Sequence, residues 1–326
     1  MSQERILITG SNGQLGTVIA KRLIEKHGPD NVILSDIKDP ADSVHKFEYL
    51  DILNKKALTE VLKKHSITQV YHLAAILSAT GEKIPMTCWE INVTGYLNVL
   101  EACRQLGIQK IFSPSSIAVF GNDAQKKNAP QNSPLNPSTV YGMSKVSGEQ
   151  WSSYYSNRYN MDIRSLRYPG VIGYQSLPGG GTTDYAVEIF HEAIINGSYT
   201  CFLKEDTGLP MIYMDDVVNA TMLLMEAPKE NITIRTAYNL EGDSFTPAEI
   251  SREIKKHIPE FEMKYAPDER QQIADSWIDS MDDMAARTDW KWRPKFILPD
   301  MVEDMITNLR ELGLQSKKKT IHNLEK

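Results

Sequence analysis

The chain has 326 residues, of which 41% are hydrophobic and 24% charged, as in an ordinary globular protein. Its net charge of −6 argues against nucleic acid or an acidic membrane surface as a partner. No run approaches the roughly 18 consecutive apolar residues of a transmembrane helix, so we expect no membrane partner. The length suits one large domain or two closely packed ones.

Cysteine and histidine usage indicates a reducing compartment and no metal. Cys88, Cys103 and Cys201 are scattered, without a Cys-x-x-Cys pair. A strand begins near residue 5 and leaves no room for a targeting segment, so we expect a cytoplasmic protein. His191 and Glu192 begin a zinc-binding pattern that Ile195 does not complete, and we expect no protein-bound metal.

The first element is a short apolar strand that runs directly into Gly10, Gly13 and Gly16, followed by a helical pattern. In a dinucleotide-binding turn, such glycines allow a sharp bend, close approach of a pyrophosphate, and tight helix-on-strand packing. The phosphates would lie at the helix N-terminus, where free N–H groups favour anions. A strand-to-helix turn can also need glycine without any ligand.

The second strand, residues 32–36, ends in Asp36, about 20 residues after the glycines. An acid there can accept hydrogen bonds from the adenosine ribose and would repel a 2′-phosphate, which favours NAD over NADP. Lys38 weakens that preference, and Asp36 could instead simply begin a turn. After a third strand at residues 46–50, Asp51 and Ile52 are expected to meet the adenine.

Strand and helix patterns alternate through the first half, which predicts a parallel sheet covered on both faces. The further elements are a helix at 55–65, a strand at 69–73, a helix at 89–106, a strand at 109–113, a helix at 139–159 and a strand at 162–167. The predicted fold class is therefore α/β, with a Rossmann-type doubly wound parallel sheet.

After residue 170 the alternation loosens. We predict helices at 185–195 and 215–226, strands at 200–203 and 210–213, and a return to the main sheet at 237–240. The remainder is mostly amphipathic helix with Trp277, Trp290 and Trp292, which we assign to the core. The predicted domains are an NAD-binding unit of residues 1–170 and 214–240, and a small α+β substrate lobe of 171–213 and 241–314. Residues 315–326, with a basic run at 317–319, form a frayed tail.

Candidate catalytic residues lie on the predicted helix at 139–159 and just before it. Tyr141 and Lys145 share a helix face at i and i+4. A nearby ammonium and the positive nicotinamide ring would lower the phenol pKa from about 10 towards the neutral range, as a general base requires. The fifth strand ends in serines, including Ser116, at the sheet edge where ligands bind. Taken alone, Tyr-x-x-x-Lys is also a common surface pair.

Several motifs in order resemble the extended short-chain dehydrogenase/reductase superfamily, whose best-known members are nucleotide-sugar epimerases. These motifs are the glycine turn, Leu73-Ala74-Ala75, Asn92-x-x-Gly95, Ser115-Ser116, Tyr141-x-x-x-Lys145 and Arg167-Tyr168-Pro169-Gly170. The resemblance implies that Ser116 is catalytic with Tyr141 and Lys145, although Ile117 stands where the family carries alanine. It also implies these cofactor contacts: Gly10, Asn12, Gly13, Gln14, Leu15, Gly16, Asp36, Ile37, Asp51, Ile52, Leu73, Ala74, Ala75, Asn92, Tyr141, Lys145 and Tyr168.

Within that superfamily, segments 178–190, 209–216, 273–277 and 285–290 look like those of the L-threonine 3-dehydrogenases. The resemblance implies oxidation of the 3-hydroxyl of L-threonine by NAD to 2-amino-3-oxobutanoate. Tyr141 would be the base, Lys145 would lower its pKa and hold the nicotinamide ribose, and Ser116 would position the oxygen.

A second glycine run, followed by Thr182 and Thr183, opens the helix predicted at 185–195. Free N–H groups and two hydroxyls at a helix N-terminus suit a carboxylate. We therefore predict substrate contacts from Gly181, Thr182 and Thr183, together with Ser116 and Tyr141, and the resemblance adds Ser78. A nucleotide phosphate could use the same arrangement, and a flexible lid with an ordinary threonine N-cap is the alternative.

Two other functions stay open from the sequence. One is a nucleotide-sugar epimerase or dehydratase with recycled NAD, which would need cations for a diphosphate, for example Arg235, Arg270, Arg287 and Arg293. The other is a non-catalytic NAD sensor, which would not need the Ser, Tyr and Lys set. The superfamily resemblance also implies a homodimer through helices 89–106 and 139–159, with Tyr96, Leu97, Leu100, Tyr154 and Tyr155 as available apolar positions.

Overall fold

The computed structural model describes residues 4–40, 45–175, 177, 179 and 181–315. The strands within these ranges are β1 (Ile6–Thr9), β2 (Val32–Asp36), β3 (Phe47–Tyr49), β4 (Gln69–His72), β5 (Lys110–Phe112), β6 (Ser115–Ser116), β7 (Asp162–Arg164), β8 (Leu166–Tyr168), β9 (Gly170–Ile172), β10 (Ser198–Cys201), β11 (Leu209–Tyr213), β12 (Tyr238–Asn239), β13 (Asp243–Phe245) and β14 (Glu262–Tyr265).

The α-helices are α1 (Gln14–His27), α2 (Lys55–Lys64), α3 (Ser78–Lys83), α4 (Pro85–Trp89), α5 (Tyr96–Leu106), α6 (Val140–Tyr159), α7 (Tyr185–Asn196), α8 (Met214–Glu226), α9 (Pro247–His257), α10 (Arg270–Ser276), α11 (Met284–Asp289) and α12 (Leu298–Glu311). Short 3₁₀ turns lie at Pro29–Asn31, Ile117–Val119 and Lys229–Asn231. Between α4 and α5 the chain forms a π-helix, Glu90–Gly95.

The central sheet has six strands in the order β3-β2-β1-β4-β5-β7. Every pair is parallel, and all four residues of β1 are buried, as expected of branched apolar side chains covered on both faces. The chain begins in the middle of the sheet and winds outward in both directions, which creates a crevice beyond the carboxyl ends of β1 and β4. The predicted doubly wound α/β fold is confirmed.

One predicted strand, at residues 162–167, is in fact two. β7 closes the central sheet, whereas β8 lies in a separate three-stranded sheet between β6 and β12. The backbone carbonyl of Ser165, between the two strands, accepts a hydrogen bond of 3.0 Å from the Tyr238 N–H. The predicted return of residues 237–240 to the main sheet was therefore wrong, because β12 pairs with β8.

The predicted helix at 89–106 contains the π-helix in its first third. The extra residue in that turn lets the Asn92 side chain reach the loop after β4. Its Oδ1 accepts from the Ile76 N–H at 2.8 Å, and its Nδ2 donates to the Ile76 carbonyl at 3.0 Å. The π-helix therefore fixes the chain just beyond the fourth strand.

The tryptophans assigned to the core are buried, in two different clusters. Trp290 and Trp292 pack in the cluster that contains Ile6 of β1 and Val217 of α8. Trp277 belongs to a cluster built largely from α7, α9 and α12. Thus part of the segment 241–314 packs beside the central sheet, and the rest forms a separate core next to it.

Among the helices in the described ranges, none is long and apolar enough to cross a membrane. The three cysteines are buried and unpaired. Of the predicted tail, residues 316–326, which include the basic run, lie outside the described part of the chain, as does Gly180 of the second glycine run.

Candidate active site

Of the three glycines in the turn after β1, Gly10 and Gly16 are closely packed against backbone atoms and Gly13 is less so. A Cβ on Gly10, whose φ is +72°, would lie 2.5 Å from the Ala74 backbone nitrogen. A Cβ on Gly16 would lie 2.2 Å from the Gly10 carbonyl oxygen. By contrast, the nearest atom to a Cβ on Gly13 is the same oxygen at 3.3 Å. Gly10 and Gly16 therefore close the turn, and Gly13 leaves the N-terminus of α1 open.

This turn forms one wall of a cavity of about 230 Å³. The cavity extends from the start of α1, past the ends of β4 and β6 and the first turns of α6, to the segment before α7. Predicted site residues that line it are Gly10, Gly13, Gln14, Leu15, Gly16, Leu73, Ala75, Ser78, Ser116, Tyr141, Lys145, Tyr168, Gly181, Thr182 and Thr183. The structure thus brings the predicted catalytic and substrate residues together with most of the cofactor set.

Asp36 and Asn12 lie outside this cavity and hold the turn to the end of β2. The Asp36 carboxylate accepts from the Asn12 N–H at 3.1 Å and from the Lys38 N–H at 3.2 Å. The Asn12 side chain donates to the Lys38 carbonyl at 2.7 Å. Ile37, between Asp36 and Lys38 in sequence, has 52% of its surface exposed. Asp36 therefore begins a turn and also stands beside the glycines, so the two interpretations are compatible.

Four other residues that were predicted to contact the cofactor make contacts inside the protein that explain their positions without a ligand. Asp51 accepts from the Leu53 N–H at 2.9 Å, and Ile52 is buried against Gly95. Ala74 packs under Gly10. Ala74 and Asn92 line a smaller polar cavity, of about 30 Å³, behind the main one.

Helix α6 carries Tyr141 and Lys145 in its first two turns. The helix begins at Val140 because Thr139 caps it, its Oγ1 accepting from the Gly142 N–H at 3.0 Å. The Ser116 hydroxyl lies near enough to the Tyr141 phenol to lower its pKa. The Lys145 ammonium lies 5.5 Å from the centre of the Tyr141 ring. The predicted triad is thus assembled at the end of β6.

Burial controls the titration of both groups. It raises the pKa of Tyr141 to about 12, against a smaller lowering by the nearby Ser116 hydroxyl. It lowers the pKa of Lys145 to about 8. The sequence predicted a lowered pKa for the phenol, but in the protein by itself the shift is upward, because desolvation of the phenolate is the largest effect.

The segment before α7 is held against the loop after β4. Thr182 is 1% exposed, and its hydroxyl oxygen lies 3.4 Å from that of Ser78. The N-cap of α7 is Asp184 rather than a threonine, so the alternative of a threonine N-cap was wrong. The Asp184 carboxylate accepts from the Gly181 N–H at 2.8 Å. Thr182 therefore faces the cavity from a loop that is fixed by these hydrogen bonds.

Several cavity-lining residues were missing from the prediction: Leu77, Pro114, Ser115, Ile117, Pro169, Gly170, Val171, Asp184 and Trp277. For Asp184 and Trp277 a signal existed, since both stand in segments that carry the resemblance. The acid directly follows the two threonines, and the tryptophan closes segment 273–277.

Among the described residues that line the cavity, the charged side chains are those of Lys145 and Asp184. The four arginines considered for a diphosphate are placed elsewhere. Arg235, Arg270 and Arg287 pair with Asp162, Asp268 and Asp283 respectively. Arg293 donates to the Trp292 carbonyl.

Residues 6–240 match the model of the NAD dependent epimerase/dehydratase family, a span that holds the glycine turn, Ser116, Tyr141 and Lys145. The chain belongs to this family. Membership confirms the resemblance to the extended short-chain dehydrogenase/reductase superfamily and makes NAD the cofactor. The open helix end at Gly13 and the glycine-lined cavity wall fit its pyrophosphate.

Within the NAD dependent epimerase/dehydratase family, the chain is similar to L-threonine 3-dehydrogenases. It is 47% identical to the mitochondrial L-threonine 3-dehydrogenase of Bos taurus over 93% of this chain and 82% of that one. It is 50% identical to the holo form of a GalE-like L-threonine dehydrogenase from Cupriavidus necator, with 94% and 99% of the two chains covered and a TM-score of 0.92. A monomeric L-threonine 3-dehydrogenase from a metagenome database is 47% identical, with the same coverage and TM-score.

Proposed function

We propose that the chain oxidises the 3-hydroxyl of L-threonine with NAD and releases 2-amino-3-oxobutanoate. The observation that carries this proposal is the charge of the cavity, where Lys145 and Asp184 are the charged side chains among the described lining residues. A zwitterionic amino acid has one carboxylate and one ammonium. Asp184 is complementary to the ammonium, and the hydroxyls of Thr182 and Thr183 can donate to the carboxylate, while Lys145 stands beside Tyr141. The similarity to L-threonine 3-dehydrogenases supports the same substrate.

The substrate would lie between Tyr141 and the segment before α7. The Thr182 and Thr183 hydroxyls would bind its carboxylate, with Ser78 and Gly181 beside them. Asp184 faces the same space and would attract the ammonium. This arrangement places C3 and its hydroxyl towards Ser116 and Tyr141.

Tyr141 then acts as the general base on the 3-hydroxyl, and Ser116 donates a hydrogen bond to the reacting oxygen. Lys145 supplies a positive charge 5.5 Å from the ring centre, which stabilises the phenolate. The buried position of Tyr141 excludes water from the proton transfer. Together these residues remove the proton as the substrate loses its hydride.

NAD, when bound, would accept the hydride from C3, and its positively charged ring would add to the effect of Lys145 on the phenol. The residues that would hold it are those of the glycine turn, with Leu73 and Ala75 at the end of β4, Tyr168 and Lys145. Asp36, fixed by two backbone N–H groups at the end of β2, would receive the adenosine ribose.

The test is a spectrophotometric assay with two substrate classes. The proposal expects NADH formation at 340 nm with NAD and L-threonine, and none with a UDP-sugar. Conversion of the UDP-sugar without net NADH, combined with no reaction of threonine, would instead identify an epimerase. A UDP-sugar would bring a second diphosphate beside that of NAD, with Lys145 as the cationic side chain among the described lining residues. The placement of Arg235, Arg270, Arg287 and Arg293 away from the cavity therefore supports the first result.

We also propose a homodimer that uses the outer face of α6. Trp151, Tyr154 and Tyr159 remain 37%, 48% and 37% exposed. Tyr96, Leu100 and Tyr155 were predicted to be available but are buried within the chain, because they pack against the central sheet. Light scattering at micromolar concentration tests the dimer, and a monomer mass would exclude it. One structural relative is itself described as monomeric, so the measurement is needed.

The division into an NAD-binding unit and a substrate lobe stays a prediction, and so does the cytoplasmic location. The buried, unpaired cysteines support a reducing compartment. Among the described residues, no group of three His, Cys, Asp or Glu side chains is arranged to hold a metal ion.

A further inference from the structure

Helix α6 presents a third ionisable residue in line with Tyr141 and Lys145. Glu149 follows Lys145 by one helical turn, on the same face. It is 2% exposed, although a buried carboxylate is costly unless it is fully paired. The contacts of the Glu149 carboxylate explain why it can be buried at this position.

The Glu149 carboxylate accepts hydrogen bonds from an arginine and from a serine. Arg167, which is 3% exposed, donates from Nε and Nη2 to the two carboxylate oxygens at 2.9 and 2.8 Å. The hydroxyl of Ser115 donates to Oε1 at 2.6 Å. Short, charge-assisted bonds of this kind are strong and directional. The carboxylate therefore fixes Ser115 relative to α6.

Ser115 directly precedes Ser116, the residue that lines the main cavity beside Tyr141. One residue earlier, the Lys145 ammonium donates to the Pro114 carbonyl at 2.8 Å. Two successive turns of α6 thus hold two successive residues of the segment that presents Ser116. On the other side, β6 pairs with β8, where Ser115 stands opposite Arg167.

Glu149 and Lys145 also share the small polar cavity of about 30 Å³ behind the active site. The ionisable groups that act on Lys145 come from three elements: Glu149 on α6, Cys88 on α4 and His72 on β4. Burial keeps the thiol of Cys88 and the ring of His72 uncharged, since it raises the pKa of the first and lowers that of the second to about 3. The charged member of this set is Glu149.

We propose that Glu149 is a positioning residue for the reaction: its carboxylate anchors the Ser115–Ser116 strand to α6 and places a negative charge beside the Lys145 ammonium. The role in catalysis rests on the proposed function, whereas the effect on Lys145 belongs to the protein alone. Arg167 is the counter-charge that makes the buried carboxylate tolerable, and the strand pairing of β6 with β8 sets the distance between them.

Two variants separate the two parts of the proposal. Glu149→Gln keeps the shape but removes the charge, and Ser115→Ala removes the strand anchor but keeps the Glu149–Arg167 pair. Glu253→Gln, at a surface ion pair with Lys256 on α9, is the matched control. The Lys145 pKa is measured by trace acetylation with acetic anhydride against pH, with mass spectrometry as the readout, and kcat is measured with NAD and L-threonine.

The expected result for Glu149→Gln is a Lys145 titration midpoint about one pH unit lower than in the wild type. The loss of kcat at alkaline pH should move by the same amount, since the ammonium is lost earlier. Ser115→Ala should lower kcat about tenfold, with little change in the Kd for NAD and none in the Lys145 midpoint. Glu253→Gln should match the wild type.

An unchanged Lys145 midpoint in Glu149→Gln overturns the proposal. If that variant does not fold, Ser115→Ala decides, and a wild-type kcat there also overturns it. If the wild type fails to oxidise threonine, the proposed function fails, and the acetylation measurement still decides the role of Glu149.

Discussion

The hydroxyl oxygens of Ser78 and Thr182 lie 3.4 Å apart, although 104 residues separate them in sequence. Ser78 opens α3, after the loop that follows β4, and Thr182 precedes α7. Both line the main cavity. This pair therefore joins the loop at the end of the central sheet to the segment that would bind the substrate, and a ligand in the cavity that contacts both hydroxyls would contact both halves of the chain.

Thr182→Val should weaken threonine binding. The substitution keeps the side-chain shape of a residue that is 1% exposed and removes the hydroxyl. We expect KM for threonine to rise about tenfold, the cost of roughly one hydrogen bond, while the Kd for NAD stays unchanged. Steady-state kinetics and NAD fluorescence titration measure the two quantities. An unchanged KM would show that this hydroxyl does not contact the substrate.

Tyr141→Phe should remove turnover and leave cofactor binding nearly intact. A general base contributes about 10² to 10⁴ in rate, so kcat should fall by at least a hundredfold. The variant keeps the ring, which packs in the same hydrophobic cluster as Trp277. Single-turnover NADH formation and NAD titration provide the readouts. Equal losses of both would mean that Tyr141 is structural.

Alanine substitutions in the glycine turn should affect folding stability at Gly16 and NAD affinity at Gly13. Gly16→Ala places a Cβ 2.2 Å from the Gly10 carbonyl oxygen, and we expect it to cost about 1–3 kcal/mol of folding stability. Gly13 has a φ of −74°, which alanine adopts readily, and its Cβ would lie 3.3 Å from the Gly10 carbonyl oxygen, a contact that needs only a small shift. Gly13→Ala should retain the wild-type Tm within a few degrees but bind NAD at least about tenfold more weakly, since its Cβ enters the space for the pyrophosphate.

Thermal melts and NAD titrations of both glycine variants measure these effects. The reverse pattern, with stability lost at Gly13 and cofactor affinity lost at Gly16 in a fully stable protein, would contradict the assignment.

Glu241 should make folding stability depend on pH. Burial raises its pKa from 4.5 to about 7, with further raising by Asp283 and Asp243. The folded state therefore binds this proton more tightly than the unfolded state. Stability from this group is fully present below pH 4.5 and is lost as the pH rises to about 7, by on the order of 1–3 kcal/mol.

Glu241→Gln removes that dependence, so the variant should be more stable than the wild type at pH 8 and similar to it at pH 4.5. Denaturant unfolding at the two pH values measures the difference. Glu230→Gln, at an exposed position, is the control and should show no such crossover. A variant that is destabilised equally at both pH values would mean that the hydrogen bonds of Glu241 matter more than its charge.

Short-range patterns predicted much of the fold. β2 occupies residues 32–36 as predicted, because a buried parallel strand is a run of branched apolar residues with a turn at its end. The break at Ser165 could not be predicted in the same way, since it depends on a hydrogen bond from Tyr238, more than seventy residues later. Pairing between distant segments leaves no periodicity in either of them.

The placement of the candidate catalytic residues was predictable for a similar reason. Tyr141 and Lys145 are neighbours on one helix, so their spacing alone places them together. Asp184 and Trp277 stand in segments that carry the resemblance, but their meeting at one cavity depends on packing of the second half of the chain and not on local periodicity. The upward shift of the Tyr141 pKa in the protein without cofactor was not predicted, because the cost of burying a phenol depends on its three-dimensional surroundings.

The π-helix at Glu90–Gly95 has a consequence for how this protein tolerates deletions. Each residue turns a helix by about 100°, so removal of one residue from this segment would restore regular α-helical phase and rotate Asn92 away from Ile76. The loop after β4 would then lose its two anchoring hydrogen bonds, and with them the position of the cavity wall at Leu73 and Ala75. A shorter and more regular helix would therefore produce a protein with a less ordered active site.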